Sequence, residues 1–156
     1  MANTGKNFEK KFTNSCKAKD FMIIRLRDNT YFRRLPSGAI VTNSSKTPAD
    51  FIVFTDCEAW LVECKYSSGK AFPYKRLAPH QEAALVKASS LSSRGLLALG
   101  FEKRCFLVPI EHLIAYRESN ERKSFPIAEC ERLVEEELAY ECEPMKGSVF
   151  NIPCAF

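Results

Sequence analysis

Asp50, Glu63 and Lys65 stand at the ends of two short runs of apolar, β-branched and aromatic residues, Phe51-Ile52-Val53-Phe54 and Ala59-Trp60-Leu61-Val62. The turn-like Thr55-Asp56-Cys57-Glu58 between the runs predicts a β-hairpin. In an antiparallel pair the start of one strand lies beside the end of the next, so Asp50 and the tripeptide Glu63-Cys64-Lys65 fall at one end of the sheet. Strand side chains alternate, which puts Glu63 and Lys65 on one face and turns Cys64 to the other. Two carboxylates held together repel, and a divalent cation that prefers hard oxygen ligands, Mg2+ or Mn2+, removes that penalty. A neighbouring lysine can orient a water or, as the neutral amine, deprotonate it, and as the ammonium offset charge on a phosphate. This is the equipment of metal-assisted phosphodiester hydrolysis. The same short pattern also suits a turn aspartate after a proline and a solvated strand with a weak ion pair, so the elements around it carry the distinction.

Those elements can be read in order. Phe8, Phe12 and then Ser15 or Cys16 recur at helical spacing, predicting an amphipathic helix from Gly5 to about Lys19 with lysines on its other faces. Glu9 lies at the border of the apolar stripe, either as a group facing the sheet or as an exposed residue near the helix N-terminus. Phe21 to Arg27 reads as the first strand, with Met22, Ile24 and Leu26 on one face and Ile23, Arg25 and Arg27 on the other, the arginine face looking toward a ligand. Asp28 to Thr47 reads as a long irregular connection holding a short strand at Ala39-Ile40-Val41; loops of this length in a compact domain are usually functional or mobile. Beyond the hairpin, Tyr66 to Pro79 interleaves basic and aromatic residues. Pro79 then opens a predicted helix from Gln81 to about Arg94, with Ala84, Leu85, Ala88 and Leu91 on one stripe and Gly95 as its C-cap. Gln81, in the first turn, points back at the strand ends. Leu96 to Phe101 and Cys105 to Ile110 are two further strands, Glu111 to Tyr116 a short helix and Ala128 to Ala139 an acidic one. The tail from Ser148 to Phe156 is an edge strand or packs on the core.

The chain of 156 residues, 46% hydrophobic and with 12 Phe, has the material for one core and predicts a single domain over residues 1–156. Its apolar runs are too short to span a bilayer and its N-terminus lacks an apolar signal core, so the expectation is a soluble, unsecreted protein with no membrane partner. Seven cysteines without a Cys-x-x-Cys pair, beside two histidines, support neither a zinc site nor a disulfide framework. They fit reduced thiols in the cytoplasm, or in the host cytoplasm for a viral protein. The net charge of +4 is distributed unevenly, with a basic front over residues 1–46 and an acidic segment over 129–143. A phosphate-binding face with a remote solvated helix has this pattern. The candidate phosphate contacts are Lys10, Arg25, Arg33, Arg34, Lys46, Lys70, Lys75 and Arg76.

The order of these pieces resembles the PD-(D/E)XK nuclease superfamily, and within it the Holliday-junction resolvases of the RecU type and their archaeal Hjc-type counterparts. The matching stretches are Gly5-Lys6-Asn7-Phe8-Glu9-Lys10, Lys46-Thr47-Pro48-Ala49-Asp50-Phe51, Glu63-Cys64-Lys65, Phe72-Pro73, Leu77-Ala78-Pro79-His80-Gln81 and Arg122-Lys123-Ser124-Phe125-Pro126. In place of the Pro-Asp pair the chain has Pro48-Ala49-Asp50, and Arg34-Leu35-Pro36-Ser37-Gly38 resembles the archaeal Ser-Gly loop, a likeness that implies Ser37 as a further DNA contact. The resemblance implies an α/β fold of the restriction-endonuclease-like kind, a central mixed β-sheet flanked by helices. It implies Asp50 and Glu63 as metal ligands together with the Cys64 main-chain carbonyl, and Glu9 as an additional ligand or one acting through a water. Lys65 would position the attacking water and Gln81 support the site, making Glu9, Asp50, Glu63, Lys65 and Gln81 the catalytic set. The function implied is Mg2+-dependent cleavage of branched DNA, with Mn2+ substituting, by a homodimer. Two alternatives stay open: another nuclease of the superfamily, restriction-like or a repair nickase, and a non-catalytic DNA-binding protein on the same fold.

Overall fold

Helical spacing of Phe8, Phe12, Ser15 and Cys16 gives the first helix one buried stripe, and period-two alternation gives the central strands two buried faces. The computed structural model describes residues 4–147 and 149–155. Its elements are α1 (Thr4–Ala18), β1 (Met22–Arg25), β2 (Asn29–Arg34), β3 (Ile40–Ser45), β4 (Phe51–Phe54), β5 (Ala59–Ser67), β6 (Ala71–Pro73), α2 (Pro79–Ser89), β7 (Arg94–Phe101), β8 (Arg104–Pro109), α3 (Ile110–Ser119), β9 (Ser124–Pro126), α4 (Ile127–Glu135), β10 (Tyr140–Glu141), β11 (Pro144–Met145) and β12 (Val149–Phe150).

A six-stranded mixed sheet of order β1-β4-β5-β7-β8-β10 forms the middle of the molecule. Only β5 and β7 pair in parallel, because the chain between them crosses over through α2; the other pairs are antiparallel. The predicted hairpin is present, with Phe51 opposite Val62 and Phe54 opposite Ala59. One face, carrying Ile23, Phe51, Val53, Trp60, Val62, Cys64, Leu96, Ala98 and Leu107, packs against Phe8, Phe12 and Cys16 of α1 and against Phe150 and Ile152. The opposite face, carrying Leu61, Leu97, Leu99, Phe106 and Val108, packs against Leu85 of α2, Ile110 and Leu113 of α3 and Cys130 and Leu133 of α4. Because helices cover β7 from both sides, its whole run from Gly95 to Phe101 is buried and reads as continuously apolar.

Several boundaries differ from the sequence reading, each for a tertiary reason. The segment 28–47 is a regular ribbon: β2 pairs with β3 from Asn29 opposite Ser45 to Arg34 opposite Ile40, around a turn in which Gly38 has φ +84°. Every residue of both strands is exposed, so no burial alternation marked them as strands. The second helix ends at Ser89, and Gly95 is not its cap but a residue of β7 opposite Leu61. A Cβ at Gly95 would lie 2.0 Å from the Leu85 carbonyl oxygen, so α2 rests backbone-on-backbone against the strand. Gly95→Ala is therefore expected to destabilise the protein by about 3 kcal/mol, the upper part of the range for overpacking, read as a lowered urea midpoint. The third helix runs to Ser119, longer than expected, and α4 stops at Glu135. In the tail, Phe150 donates its N–H to Ser15 Oγ at 2.7 Å, and Phe150 and Ile152 are buried. Ser148 and Phe156, which bounded the predicted tail, lie outside the described residues. Among the described residues no helix is long and apolar enough to cross a membrane. All seven cysteines are free; burial pushes the Cys16 and Cys130 thiols up to about 12, which makes them packing groups.

Phe72-Pro73 and Ser124-Phe125-Pro126, two stretches without an evident chemical role in the sequence, form a two-stranded clasp. Phe72 lies opposite Phe125, and flanking backbone bonds run from Tyr74 N–H to the Lys123 carbonyl at 3.2 Å and from Ile127 N–H to the Lys70 carbonyl at 2.9 Å. The clasp holds the chain that leads from β5 into α2, and so sets where that helix begins.

Candidate active site

Asp50 enters β4 with both ends of its residue tied to β5. Its N–H donates to the Val62 carbonyl at 3.2 Å, and its Oδ2 accepts the Cys64 N–H at 2.9 Å. Glu63, only 2% exposed, faces α2, where its Oε1 accepts from Lys65 Nζ at 2.7 Å and from Gln81 Nε2 at 2.6 Å. Gln81 is fixed by the start of its own helix: Pro79 opens α2, and the Gln81 Oε1 accepts the Ala78 N–H at 3.1 Å and a bond from Lys65 Nζ at 3.2 Å. The cluster is thus closed by a carboxamide that reads both a carboxylate and an ammonium. On the other side of the sheet end, Glu9 of α1 accepts a hydrogen bond from Arg25, whose guanidinium lies 5.4 Å from the Phe51 ring centre.

In this cluster burial and mutual repulsion outweigh the neighbouring cations. Burial, and then the nearby Asp50, push Glu63 up to about 7 against the pull of Lys65 and Gln81. Burial also raises Asp50, with Glu9 adding to the rise and the Cys64 N–H, Lys65 and Arg25 opposing it. Glu63 Oε2 is buried with no hydrogen-bond partner. A buried carboxylate oxygen without a donor, beside a second raised carboxylate, fits a hard divalent cation that takes oxygen ligands and keeps part of its water. Among the described residues no group of three or more His, Cys, Asp or Glu is arranged to cage a metal.

No protein-family model matches the sequence, and no curated protein matches it. Among solved structures the chain is similar to Archaeoglobus fulgidus Hjc, a Holliday junction resolvase from an archaeal hyperthermophile, with a TM-score of 0.56 and 18% identity over 82% of this chain and 93% of that one. The fold is that of the Hjc nuclease. The central mixed sheet flanked by helices that the resemblance implied is present, and it has six strands.

Within this Hjc-like fold, the structure gathers Glu63, Lys65 and Gln81 into one hydrogen-bonded group, holds Asp50 next to it through the Cys64 N–H, and pairs Glu9 with Arg25. Arg25 is an ion-pair partner of Glu9 in this state. The other predicted phosphate contacts lie outside the cluster. Lys10 is exposed on α1; Arg33 and Arg34 are on β2, Ser37 is in the turn of the ribbon and Lys46 is at its foot, all exposed. Lys70 and Lys75 are exposed on the loop and single turn before α2, and Arg76 donates to the Tyr66 carbonyl at 2.6 Å, which ties that loop to β5. Sequence reasoning missed the Ala78 N–H as the group that orients Gln81; the helix start at Pro79 was its only signal. It also passed over Tyr31 and Phe32, which stand exposed on the ribbon next to Arg33 and Arg34.

The raised Glu63 makes a prediction for the protein kept free of metal by a chelator. Between its ordinary 4.5 and about 7, folded Glu63 holds a proton that the unfolded chain has lost. The unfolded state then binds fewer protons, so stability is present at low pH and falls as pH rises through about 7. The loss is on the order of 3 kcal/mol, and Asp50 contributes with the same sign. Thermal melting from pH 5 to pH 8 in chelator should show it, and added Mg2+ or Mn2+ should restore the melting temperature at pH 8. A melting temperature that rises with pH across this window would contradict the assignment.

Proposed function

We propose that this chain is a PD-(D/E)XK endonuclease of the Hjc and RecU type that resolves four-way DNA junctions by Mg2+-dependent phosphodiester hydrolysis, with Mn2+ substituting. The observation that carries the reading is the group of Asp50, Glu63, Lys65 and Gln81 at one end of the sheet, with Glu63 Oε2 left without a donor. The fold shared with a junction resolvase supports the choice of substrate.

In this reading Asp50 and Glu63 hold the metal, with the Cys64 carbonyl and Glu9 as further candidates for its shell. The metal supplies charge stabilisation to the phosphate in its transition state and activates water. Lys65 places its ammonium beside the same carboxylate and can donate to, and so position, a water that approaches phosphorus. Gln81 holds Lys65 and Glu63 in register, because one rigid carboxamide bonds to both. The exposed Lys10, Arg33, Arg34, Ser37, Lys46, Lys70 and Lys75 contact phosphates and set the DNA on the site, a contribution that weakens with salt. The protein acts as a homodimer in the cytoplasm, or in the host cytoplasm for a viral protein. One catalytic centre per chain makes two copies the simplest way to nick two strands symmetrically.

The test is incubation of the purified protein with a labelled four-way junction, a matched linear duplex and a single strand, in Mg2+, Mn2+ or chelator, beside Glu63→Ala. Metal-dependent paired nicks restricted to the junction and absent from the variant are expected. Cleavage of all three substrates would make it a less selective nuclease, and DNA binding without cleavage would make it a binding protein on this fold.

A further inference from the structure

Five of the seven cysteines are buried, and the two that are exposed, Cys57 and Cys154, lie together. Cys57 stands in the turn between β4 and β5, which closes through a bond from the Thr55 N–H to the Glu58 carbonyl at 3.0 Å. Cys154 lies just past β12. One hydroxyl joins them across 99 residues of sequence: Thr55 Oγ1 donates to the Cys154 carbonyl at 2.6 Å and accepts the Cys57 N–H at 3.2 Å. Packing on the first helix fixes where Cys154 falls. The Phe150 N–H donates to Ser15 Oγ at 2.7 Å, Lys11 Nζ lies 3.8 Å from the Phe150 ring centre, and Ile152 is buried in the core. The Cys154 thiol, within hydrogen-bonding reach, acts most strongly on the Cys57 thiol and raises it above its ordinary value, with Asp56 and Glu58 adding to the rise.

We propose that Cys57 and Cys154 are a site of reversible oxidation, forming an intrachain disulfide that staples the segment after β12 to the β4–β5 turn. The oxidant is a peroxide or a small disulfide such as oxidised glutathione. With hydrogen peroxide, one thiol sulfur takes an oxygen as the O–O bond breaks, giving a sulfenic acid and one water. The second thiol attacks that sulfur; the S–S bond forms, the S–O bond breaks and a second water leaves. Two thiols thus lose two electrons and two protons, and the peroxide is reduced to two waters. With oxidised glutathione, two successive exchanges release two reduced glutathiones instead. The ring so closed spans roughly 100 residues, a length at which a crosslink strongly restrains the unfolded chain. It also pins the segment seated on α1, and with it the helix that carries Glu9. Disulfides of reducing compartments are mostly transient and redox-sensing, which an exposed pair of this kind suits. Cys105 and Cys142 form a second neighbouring pair, where the Cys142 N–H donates to the Cys105 carbonyl at 2.7 Å, but both are fully buried and out of an oxidant's reach. The inference does not rest on the proposed nuclease activity.

Oxidation of the intact, fully reduced protein tests the assignment, with hydrogen peroxide in one series and buffers of oxidised and reduced glutathione in another. Thiols that remain are alkylated after unfolding and mapped by peptide mass spectrometry. Two of the seven thiols are expected to disappear, with the chain lighter by two hydrogens, one linked peptide pair containing Cys57 and Cys154, and full reversal by dithiothreitol. Cys57→Ser and Cys154→Ser should form no bridge, and in the glutathione buffers each should take up a single glutathione on its remaining exposed thiol. The oxidised wild type should melt about 5 °C or more above the reduced form, and the Phe150 amide should exchange its hydrogen more slowly. Neither shift is expected in the serine variants. The melting comparison uses one protein in two redox states, so it does not depend on either variant's stability. A disulfide between two chains, thiol loss that maps to the five buried cysteines, or separate oxidation of both exposed thiols without a bridge would each overturn the proposal. A bridge that forms and leaves both the melting temperature and the Phe150 exchange unchanged would overturn the staple.

Discussion

Glu63→Gln is expected to abolish metal-dependent cleavage and, in the same protein, to raise the melting temperature of the metal-free form at pH 8. The first effect follows from removing one of two carboxylates available to a cation, a loss of several kcal/mol of transition-state stabilisation or roughly 10³-fold or more in rate. The second follows from the environment of Glu63, which burial and Asp50 make hostile to a negative charge. Glutamine keeps the shape and can still accept from Lys65 and Gln81, yet carries no charge to desolvate. At pH 8 the gain should be on the order of 2 kcal/mol, or several degrees for a chain of this size. At pH 5, where folded Glu63 is already protonated, wild type and variant should melt alike. Nicking rates in Mg2+ and melts in chelator at the two pH values check both halves. A variant that loses stability at pH 8 would show that Glu63 holds the fold together, and one that still cleaves would remove it from the site.

Lys65→Met is expected to lower cleavage by roughly 10² to 10⁴-fold, the range for losing a group that manages a proton in the transition state. Methionine keeps much of the apolar stem and deletes the ammonium. Lys65 bonds to Glu63 at 2.7 Å and is among the groups that hold its carboxyl down. Without it Glu63 moves further above about 7, so the residual activity should require higher pH than that of wild type. The pH–rate profile distinguishes this from simple misfolding, which would lower the rate without moving the profile. Arginine should not rescue the variant, because a planar guanidinium that cannot lose its proton and is larger than an ammonium does not fit between Glu63 and Gln81.

How much of this was legible before the structure depends on the range of the interaction. The hairpin from Phe51 to Lys65 was readable because alternation and a four-residue turn are local signals. The same is true of the face shared by Glu63 and Lys65 and of the buried stripe of α1. Of the ribbon the sequence shows only a short strand at Ala39-Ile40-Val41, at the start of β3, because both faces of β2 and β3 meet solvent, which leaves no alternation to detect. A glycine after a helical stripe predicts a helix cap at Gly95; its reason here is the contact with the Leu85 carbonyl, which no local pattern announces.

By itself the sequence determined the two strands that carry Asp50, Glu63 and Lys65, the end of the sheet they share and the charge balance of the front of the chain. Each is a matter of backbone periodicity and composition. The tertiary structure decided that Gln81 reaches back across 18 residues to bond Glu63, that Arg25 turns to Glu9, and that the Phe72 and Phe125 stretches clasp the entry to α2. It also decided that the outward face of β1 is the apolar one, because α1 packs on Ile23 and leaves Met22 and Ile24 in solvent. Residues distant in sequence become neighbours only through the packing of helices on a sheet. That packing is set by the fit of many side chains at once, which no single motif encodes.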